Sequence, residues 1–134
     1  MSSKTILVIG TYDTKDDELG FLAKVIRDQG GHVVSMDVSV LGDPSRPTDY
    51  SKHDVANEGG SSINAAIATG DENQAMQIMA QGASLLTARL YAERKFDGLI
   101  VLGGTMGTDL ALDVTSALPL GVPKYIVSTV SFSP

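Results

Sequence analysis

The sequence predicts an α/β fold, a doubly wound parallel sheet of about four strands, and three observations lead to this prediction. Short apolar runs alternate with longer segments in which apolar residues recur at helical spacing, which is the pattern of successive βαβ units. Two of these runs end in glycine and continue through hydroxyl residues into a helix. The chain has 134 residues, of which 43% are hydrophobic, enough for one domain with one core.

The first unit consists of a strand, a turn and a helix. Thr5 to Gly10 is a continuous apolar run, as expected for a strand that is covered on both faces. Asp13 or Thr14 is the expected N-cap of the helix, whose first turn is acidic and suits the helix dipole. The helix ends at Gly30-Gly31, and the β-branched residues of His32 to Val40 predict the second strand.

The middle of the chain, residues 41–70, is interrupted by glycine and proline and shows no long helical period. A short helix near Ser62 to Ala68 is the element expected there. Asp71 then caps a long helix that ends near Lys95 and buries one apolar stripe. The stripe consists of Met76, Met79, Ala83, Leu86 and Leu90.

The last part repeats the alternation of strand and helix. Phe96 to Gly103 is the third strand, Thr108 to Leu118 a further helix, and Lys124 to Thr129 the fourth strand. With right-handed crossovers, four strands fit the flavodoxin-like or Rossmann-like order 2-1-3-4. Strands 1 and 3 are then neighbours whose helices leave to opposite faces. A ligand crevice is expected between the carboxyl ends of these two strands.

Composition excludes several classes of function. A net charge of -6 and an aromatic content of 5% without tryptophan oppose a nucleic-acid-binding surface. The absence of cysteine excludes disulfides and thiolate metal sites. No apolar stretch approaches the roughly 20 residues that span a bilayer, and the first residues lack a signal-peptide pattern. We expect a cytoplasmic protein that binds neither nucleic acid nor membrane.

The loop after the first strand contains five candidate ligand-binding residues. Glycine lets a phosphate approach the backbone, hydroxyl and amide groups donate hydrogen bonds to it, and lysine adds positive charge. Asp13 is a candidate either for a metal ion or for holding the turn. An ordinary helix start is the alternative, because neither the P-loop pattern nor the Rossmann fingerprint occurs here. The candidates are Gly10, Thr11, Asp13, Thr14 and Lys15.

The loop after the third strand contains three glycines in five residues, immediately before a helix. A single helix cap does not require so many glycines, whereas the close approach of an anionic ligand to the backbone does. This second Gly-Thr loop is therefore expected to face the same ligand as the first. Its candidate residues are Gly103, Gly104, Thr105, Gly107 and Thr108.

Three more polar residues lie near the same predicted edge. Ser128 and Thr129 end the fourth strand and add hydroxyl groups there, unless they are simple turn residues. Asp37 comes late in the second strand, where a carboxylate of a doubly wound fold often accepts hydrogen bonds from a ribose; an exposed strand-end carboxylate is the alternative. His32 and His53 lack metal-ligand spacing, so we assign no metal site and no catalytic residue.

Three strings, GTYDTK, LGGTMGTDLA and ALPLGVPKYIVST, resemble in this order the amino-terminal region of a family typified by the tomato tobamovirus-resistance protein and its bacterial relatives. The resemblance covers essentially the whole chain. It implies an ATP-binding region of two α/β subdomains, often followed by a barrel-like domain. Residues 1–134 would then be the first nucleotide-binding subdomain, a fragment of a longer protein, with ATP as ligand and magnesium as a candidate companion ion.

Three functions stay open at this point. The first is a nucleotide-binding module in which both Gly-Thr loops hold the phosphates of ATP. The second is an enzyme acting on a small phosphorylated or carboxylate metabolite, with catalytic groups from a missing domain. The third is an assembly domain, because no predicted helix follows the fourth strand to cover its edge. A homo-oligomer or a missing C-terminal domain is the expected partner of that edge.

Overall fold

The computed structural model describes residues 3–103 and 107–128, and it confirms the predicted fold. Four parallel strands form one sheet in the order β2-β1-β3-β4. Gly10 pairs with Asp37 on one side and with Leu102 on the other, so that neighbouring strands end at the same edge. The strands are β1 (Thr5–Gly10), β2 (His32–Asp37), β3 (Gly98–Gly103) and β4 (Lys124–Ser128).

The five helices of the described residues are distributed unequally over the two faces of this sheet. The helix after β1 packs on one face, where Leu19 joins Val8 and Leu102 in a small apolar cluster. The main core lies on the opposite face, where Met79 and Leu86 are fully buried against the strands. The helices are α1 (Asp16–Asp28), α2 (Lys52–Glu58), α3 (Ile63–Ala68), α4 (Glu72–Ala92) and α5 (Gly107–Ser116).

Several element boundaries differ from the prediction. β2 ends at Asp37, three residues before Val40, because the Asp37 carboxylate accepts a hydrogen bond from the backbone N–H of Ser39, a local bond that competes with the sheet ladder. β3 begins at Gly98, α4 ends at Ala92, and α5 covers Gly107–Ser116. The positions of the strands and of the long helix are otherwise as predicted.

The predicted N-cap of α1 was wrong. The helix begins after Lys15, whose side chain makes no capping hydrogen bond. Asp13 is not available as a cap because its Oδ1 lies 2.9 Å from the hydroxyl oxygen of Ser39 and its Oδ2 accepts a hydrogen bond from the amide of Gly42. The hydroxyl of Thr14 lies 3.2 Å from that of Thr11 instead of reaching the first turn of the helix.

One helix in the middle of the chain was missed. α2 follows Ser51, whose side chain forms a capping box with Asp54, while the expected short helix α3 begins after its cap Ser62. α2 packs closely on α4, because Gly82 lies against the backbone carbonyl of Val55. A helix of seven residues is too short to show a clear apolar period, so the serine-to-aspartate spacing was its main sequence signal.

An ion pair joins α2 to α4 at the surface. Arg89 donates to both carboxylate oxygens of Glu58, at 2.8 and 3.0 Å. This hydrogen bonding holds the pKa of Glu58 below its usual value of 4.5.

The lowered pKa of Glu58 predicts a pH-dependent contribution to stability. A carboxyl group whose pKa is lower in the folded state stabilises the protein above its unfolded-state pKa, and the contribution is lost as the pH falls through the folded-state value. We expect Glu58→Gln to have a slightly lower urea midpoint than the parent at pH 7, and the difference to disappear well below pH 4.5. A difference that persists under acid would contradict the assignment.

The outer strand β4 leaves apolar side chains exposed. Tyr125 is 65% exposed, and Ile126 and Val127 are both more than 40% exposed. Since α1 lies over β1 and β2, the face of β4 that carries Tyr125 and Val127 has no covering helix among the described residues. None of the described helices has the length and apolar character needed to cross a membrane.

Candidate functional site

The carboxyl edge of the sheet gathers the residues that the sequence singled out. β1 ends at Gly10, β2 at Asp37, β3 at Gly103 and β4 at Ser128. Because Gly10 pairs with Leu102 next to Gly103, the loops after β1 and β3 leave the sheet from adjacent positions. α1 and α5 then run along opposite faces, as the fold order predicted. The edge therefore has the topology of a ligand-binding crevice.

Three of the predicted site residues, Gly104, Thr105 and Thr129, lie outside the residues that the structure describes. Gly107 and Thr108 begin α5, so the second Gly-Thr loop does lead directly into a helix. For this loop the structure thus gives the two ends, the last residue of β3 and the first turn of α5.

The loop after β1 uses its own backbone N–H groups internally. The amides of Thr14 and Lys15 both donate to the carbonyl of Thr11, at 3.2 and 2.8 Å. The amide of Tyr12 donates to Asp37, and that of Asp13 donates to the hydroxyl of Ser39. These four amides are already bonded, so the loop offers an anion mainly its side chains, the hydroxyls of Thr11 and Thr14 and the ammonium of Lys15.

Asp37 has a structural role besides the predicted one toward a ribose, and the alternative of an exposed strand-end carboxylate is wrong because the residue is buried. Its side chain is only 1% exposed, and Oδ1 accepts hydrogen bonds from the amide of Tyr12 at 3.2 Å, the amide of Ser39 at 2.9 Å and the hydroxyl of Ser39. The carboxylate thereby ties the loop after β1 to the segment after β2. The predicted contact with a ribose stays a prediction, and these bonds already use one carboxylate oxygen.

Asp13 also connects the loop after β1 to the segment after β2. Its Oδ1 lies 2.9 Å from the hydroxyl of Ser39, and its Oδ2 accepts a hydrogen bond from the amide of Gly42 at 3.2 Å. A side chain at position 42 would meet the Asp13 carboxylate, since an added Cβ would lie 2.8 Å from Oδ2. These contacts show Asp13 holding the turn, and its candidate role toward a metal ion stays a prediction.

Lys52, at the start of α2, fixes the segment that leaves β2. It is 7% exposed, and its ammonium donates to the carbonyls of Val40 and Gly42 at 3.2 and 3.0 Å and lies 3.0 Å from Asp43. Three oxygen partners satisfy a lysine ammonium completely. The wall that residues 40–43 form beside the carboxyl edge is therefore anchored in the core.

A cleft of about 500 Å³ opens between the loop after β1, the segment after β2, and the turn between α3 and α4. Ligand pockets commonly have volumes of about 300 to 1,000 Å³. The hydroxyl residues Thr11 and Thr14 lie at its polar end, together with Asp13 and Ser39. Most of the remaining lining is apolar and consists of Val38, Val40, Leu41, Ala66, Ile67, Ala75 and Met76.

The charges around the cleft are mainly negative. Asp71 and Glu72 line it at the start of α4, and the first turn of α1 carries Asp16, Asp17 and Glu18. No group of three or more histidine, aspartate or glutamate side chains in residues 3–103 and 107–128 is arranged to hold a metal ion. The binding of an anion at this edge would therefore depend on the positive charge of Lys15 and on any cation that the anion carries.

Tyr12 stays protonated beneath the loop. It is buried, and its hydroxyl donates to the carbonyl of Val8 at 3.1 Å. Burial raises the pKa of Tyr12 far above its usual value, and the negative charge of Asp37 adds to the effect. The phenol is thus a packing and hydrogen-bonding group at neutral pH, with no role as a base.

Sequence reasoning missed several residues that form this site. Ser39 lies within the predicted second strand, Gly42 lies in the interrupted stretch after it, and Lys52 is a buried residue for which the sequence analysis makes no prediction. Met76 was assigned to the core stripe of α4, and it packs partly against the core while it also lines the cleft. The Asp37-x-Ser39 spacing was the available signal for the turn that ends β2.

Comparison with protein families identifies the region. Residues 4–133 match the family described as "Uncharacterised protein family (UPF0261) N-terminal domain". A UPF0261 protein of Brucella suis biovar 1 is 54% identical over 132 residues, which are 98% of this chain and 32% of the relative. A UPF0261 protein of Clostridium tetani is 37% identical over 129 residues, 96% of this chain and 32% of the relative. The chain thus spans about a third of the length of these bacterial relatives.

A plant relative and a solved structure extend the comparison. The ToMV susceptible protein tm-1 of Solanum lycopersicum is 30% identical over 149 residues, 97% of this chain and 19% of the relative. The C-terminal domain of a Pyrococcus furiosus hydrogenase superposes with a TM-score of 0.60 at 17% identity, covering 94% of this chain and 92% of that one. At 17% identity, the similarity to the hydrogenase domain concerns the α/β fold alone. The family indicated by the three sequence strings is confirmed.

Proposed function

The chain belongs to the UPF0261 family as its N-terminal domain, and we propose that it binds ATP, with the phosphates at the carboxyl edge of the sheet between the loops after β1 and β3. One observation supports this most directly. Gly10 and Leu102 are paired neighbours, so that two glycine- and threonine-rich loops leave the sheet side by side, next to a cleft whose near end carries hydroxyl groups. Phosphate binding at this position of a doubly wound sheet follows a general rule of such folds.

The side chains of the first loop fit a phosphate group. Thr11 and Thr14 place two hydroxyls 3.2 Å apart, and Lys15 adds a cation. The acidic first turn of α1, Asp16 to Glu18, opposes an uncompensated triphosphate by charge repulsion. Magnesium bound to the phosphates would reduce this repulsion. We therefore expect the magnesium complex of ATP to bind more tightly than free ATP.

Isothermal titration of the chain with ATP, with and without magnesium, tests the proposal. We expect the double substitution Thr11→Val and Thr14→Val to weaken binding about 100-fold or more, because two hydrogen bonds to a charged group are lost. Thr115→Val is the matched control, since the Thr115 hydroxyl donates to the carbonyl of Leu112 within α5. No detectable heat at millimolar ATP, or equal binding by the double variant, would contradict the proposal.

A second candidate, an assembly domain, is favoured by the exposed apolar side chains of β4. Tyr125, Ile126 and Val127 lie together on an outer strand, where apolar exposure commonly marks an interface. We expect the apparent mass in light scattering to rise with protein concentration, and Val127→Lys to return it to that of one chain. A strict monomer at all concentrations would remove this candidate.

A further inference from the structure

The cleft beside the first Gly-Thr loop has two chemically different parts. Hydroxyl groups of Thr11 and Thr14 lie at one end, and the rest is lined largely by aliphatic side chains. Two of these, Leu41 and Ile67, are 78% and 47% exposed although they are large and apolar. Large apolar side chains exposed together in a concave site are typical of a surface that binds a ligand.

The walls of the apolar part are held in place from both sides. On one side, the ammonium of Lys52 donates a hydrogen bond to the carbonyl of Val40, next to Leu41. On the other side, the hydroxyl of Ser62 caps α3 and the carboxylate of Asp71 caps α4, the two helices that form the opposite wall. The cleft is therefore preformed, and a ligand need not order it on binding.

Charge determines which part of a nucleotide this compartment can accept. The charged residues that line it, Asp71 and Glu72, are acidic, and none of the described lining residues is a lysine or an arginine. Phosphate groups would be repelled there, whereas an uncharged ring would remove aliphatic surface from water. Met76 also supplies a polarizable thioether, which packs favourably against aromatic rings.

We infer that the cleft is the binding site for the uncharged heterocyclic base and sugar of the nucleotide, with the base between Leu41 and Ile67 and the phosphates leaving past Thr11 and Thr14. This inference rests on the proposed function, and it assigns the orientation of the ligand. It also places the base on the β2 side of β1, against α3 and α4, instead of in the crevice between β1 and β3.

Titrations with three ligands separate the two parts of the site. ATP probes both parts, adenosine probes the cleft alone, and tripolyphosphate probes the phosphate end alone. We expect Ile67→Asp to weaken ATP and adenosine by the same factor, about 10-fold or more, because a carboxylate must then be desolvated against the ring. Tripolyphosphate should bind Ile67→Asp as it binds the parent.

Leu85→Asp is the matched control, because Leu85 is 49% exposed on α4 and does not line the cleft. Leu41→Asp is a second test variant at a more exposed position, should Ile67→Asp unfold. If ATP binds both cleft variants as tightly as the parent, the inference is overturned while the proposed function stands. If adenosine binds but ATP does not, the cleft assignment stands and the phosphate site falls. If neither binds the parent, both are overturned.

Discussion

Replacing Gly82 by alanine is expected to destabilise the protein by about 3 kcal/mol, a large part of the usual stability of a small domain. A Cβ atom at this position would lie 2.0 Å from the carbonyl oxygen of Val55 and 2.8 Å from its carbonyl carbon. These are backbone atoms of α2, so the contact cannot be relieved by a change of rotamer. The two helices would have to move apart, which would loosen the core beneath them.

Helix propensity alone predicts the opposite result. Alanine is favoured over glycine within a helix by up to about 1 kcal/mol, so a stabilised Gly82→Ala would contradict the packing found here. Gly20→Ala in α1 is the matched control, because its Cβ would meet only the end of the Arg46 side chain, at 2.9 Å. We expect Gly20→Ala to stay within about 1 kcal/mol of the parent in urea unfolding followed by circular dichroism.

Replacing Asp37 by alanine is the second large expected effect, about 3 kcal/mol of lost stability in the absence of any ligand. The substitution leaves the amides of Tyr12 and Ser39 without their acceptor in a buried place, at a cost of about 1 to 3 kcal/mol for each unsatisfied group. Asp37→Asn keeps a carbonyl oxygen there and should lose less. Urea unfolding of both variants measures the difference.

The same pair of variants separates the two roles considered for Asp37. If its carboxylate serves only a ribose, Asp37→Ala should unfold at the parental urea concentration and lose affinity for ATP alone. Asp28→Ala is the control for removing an acidic side chain, because Asp28 forms an exposed ion pair with Lys24 at the surface of α1. A change within about 0.5 kcal/mol is expected for that surface position.

Local sequence was sufficient to predict most elements of the fold. The apolar run of β1 specifies a buried strand, and the capping residue Asp71 specifies the start of α4. Both elements were found where they were predicted. α2 was missed because a helix of seven residues lacks a readable period. The α1 cap was wrong because the Asp13 carboxylate lies against the hydroxyl of Ser39 and the amide of Gly42, which are distant in sequence.

The amino-acid sequence by itself determined the family, the alternation of strands and helices and, through the right-handed rule for crossovers, the strand order that brings the ends of β1 and β3 to the same edge. Only the tertiary structure decided what each polar group does there. Whether an amide is free for a ligand or bonded within the chain depends on which distant side chain is nearby, as Asp37 shows for Tyr12. The cleft, too, exists only because α3 and α4 fold back against the segment after β2.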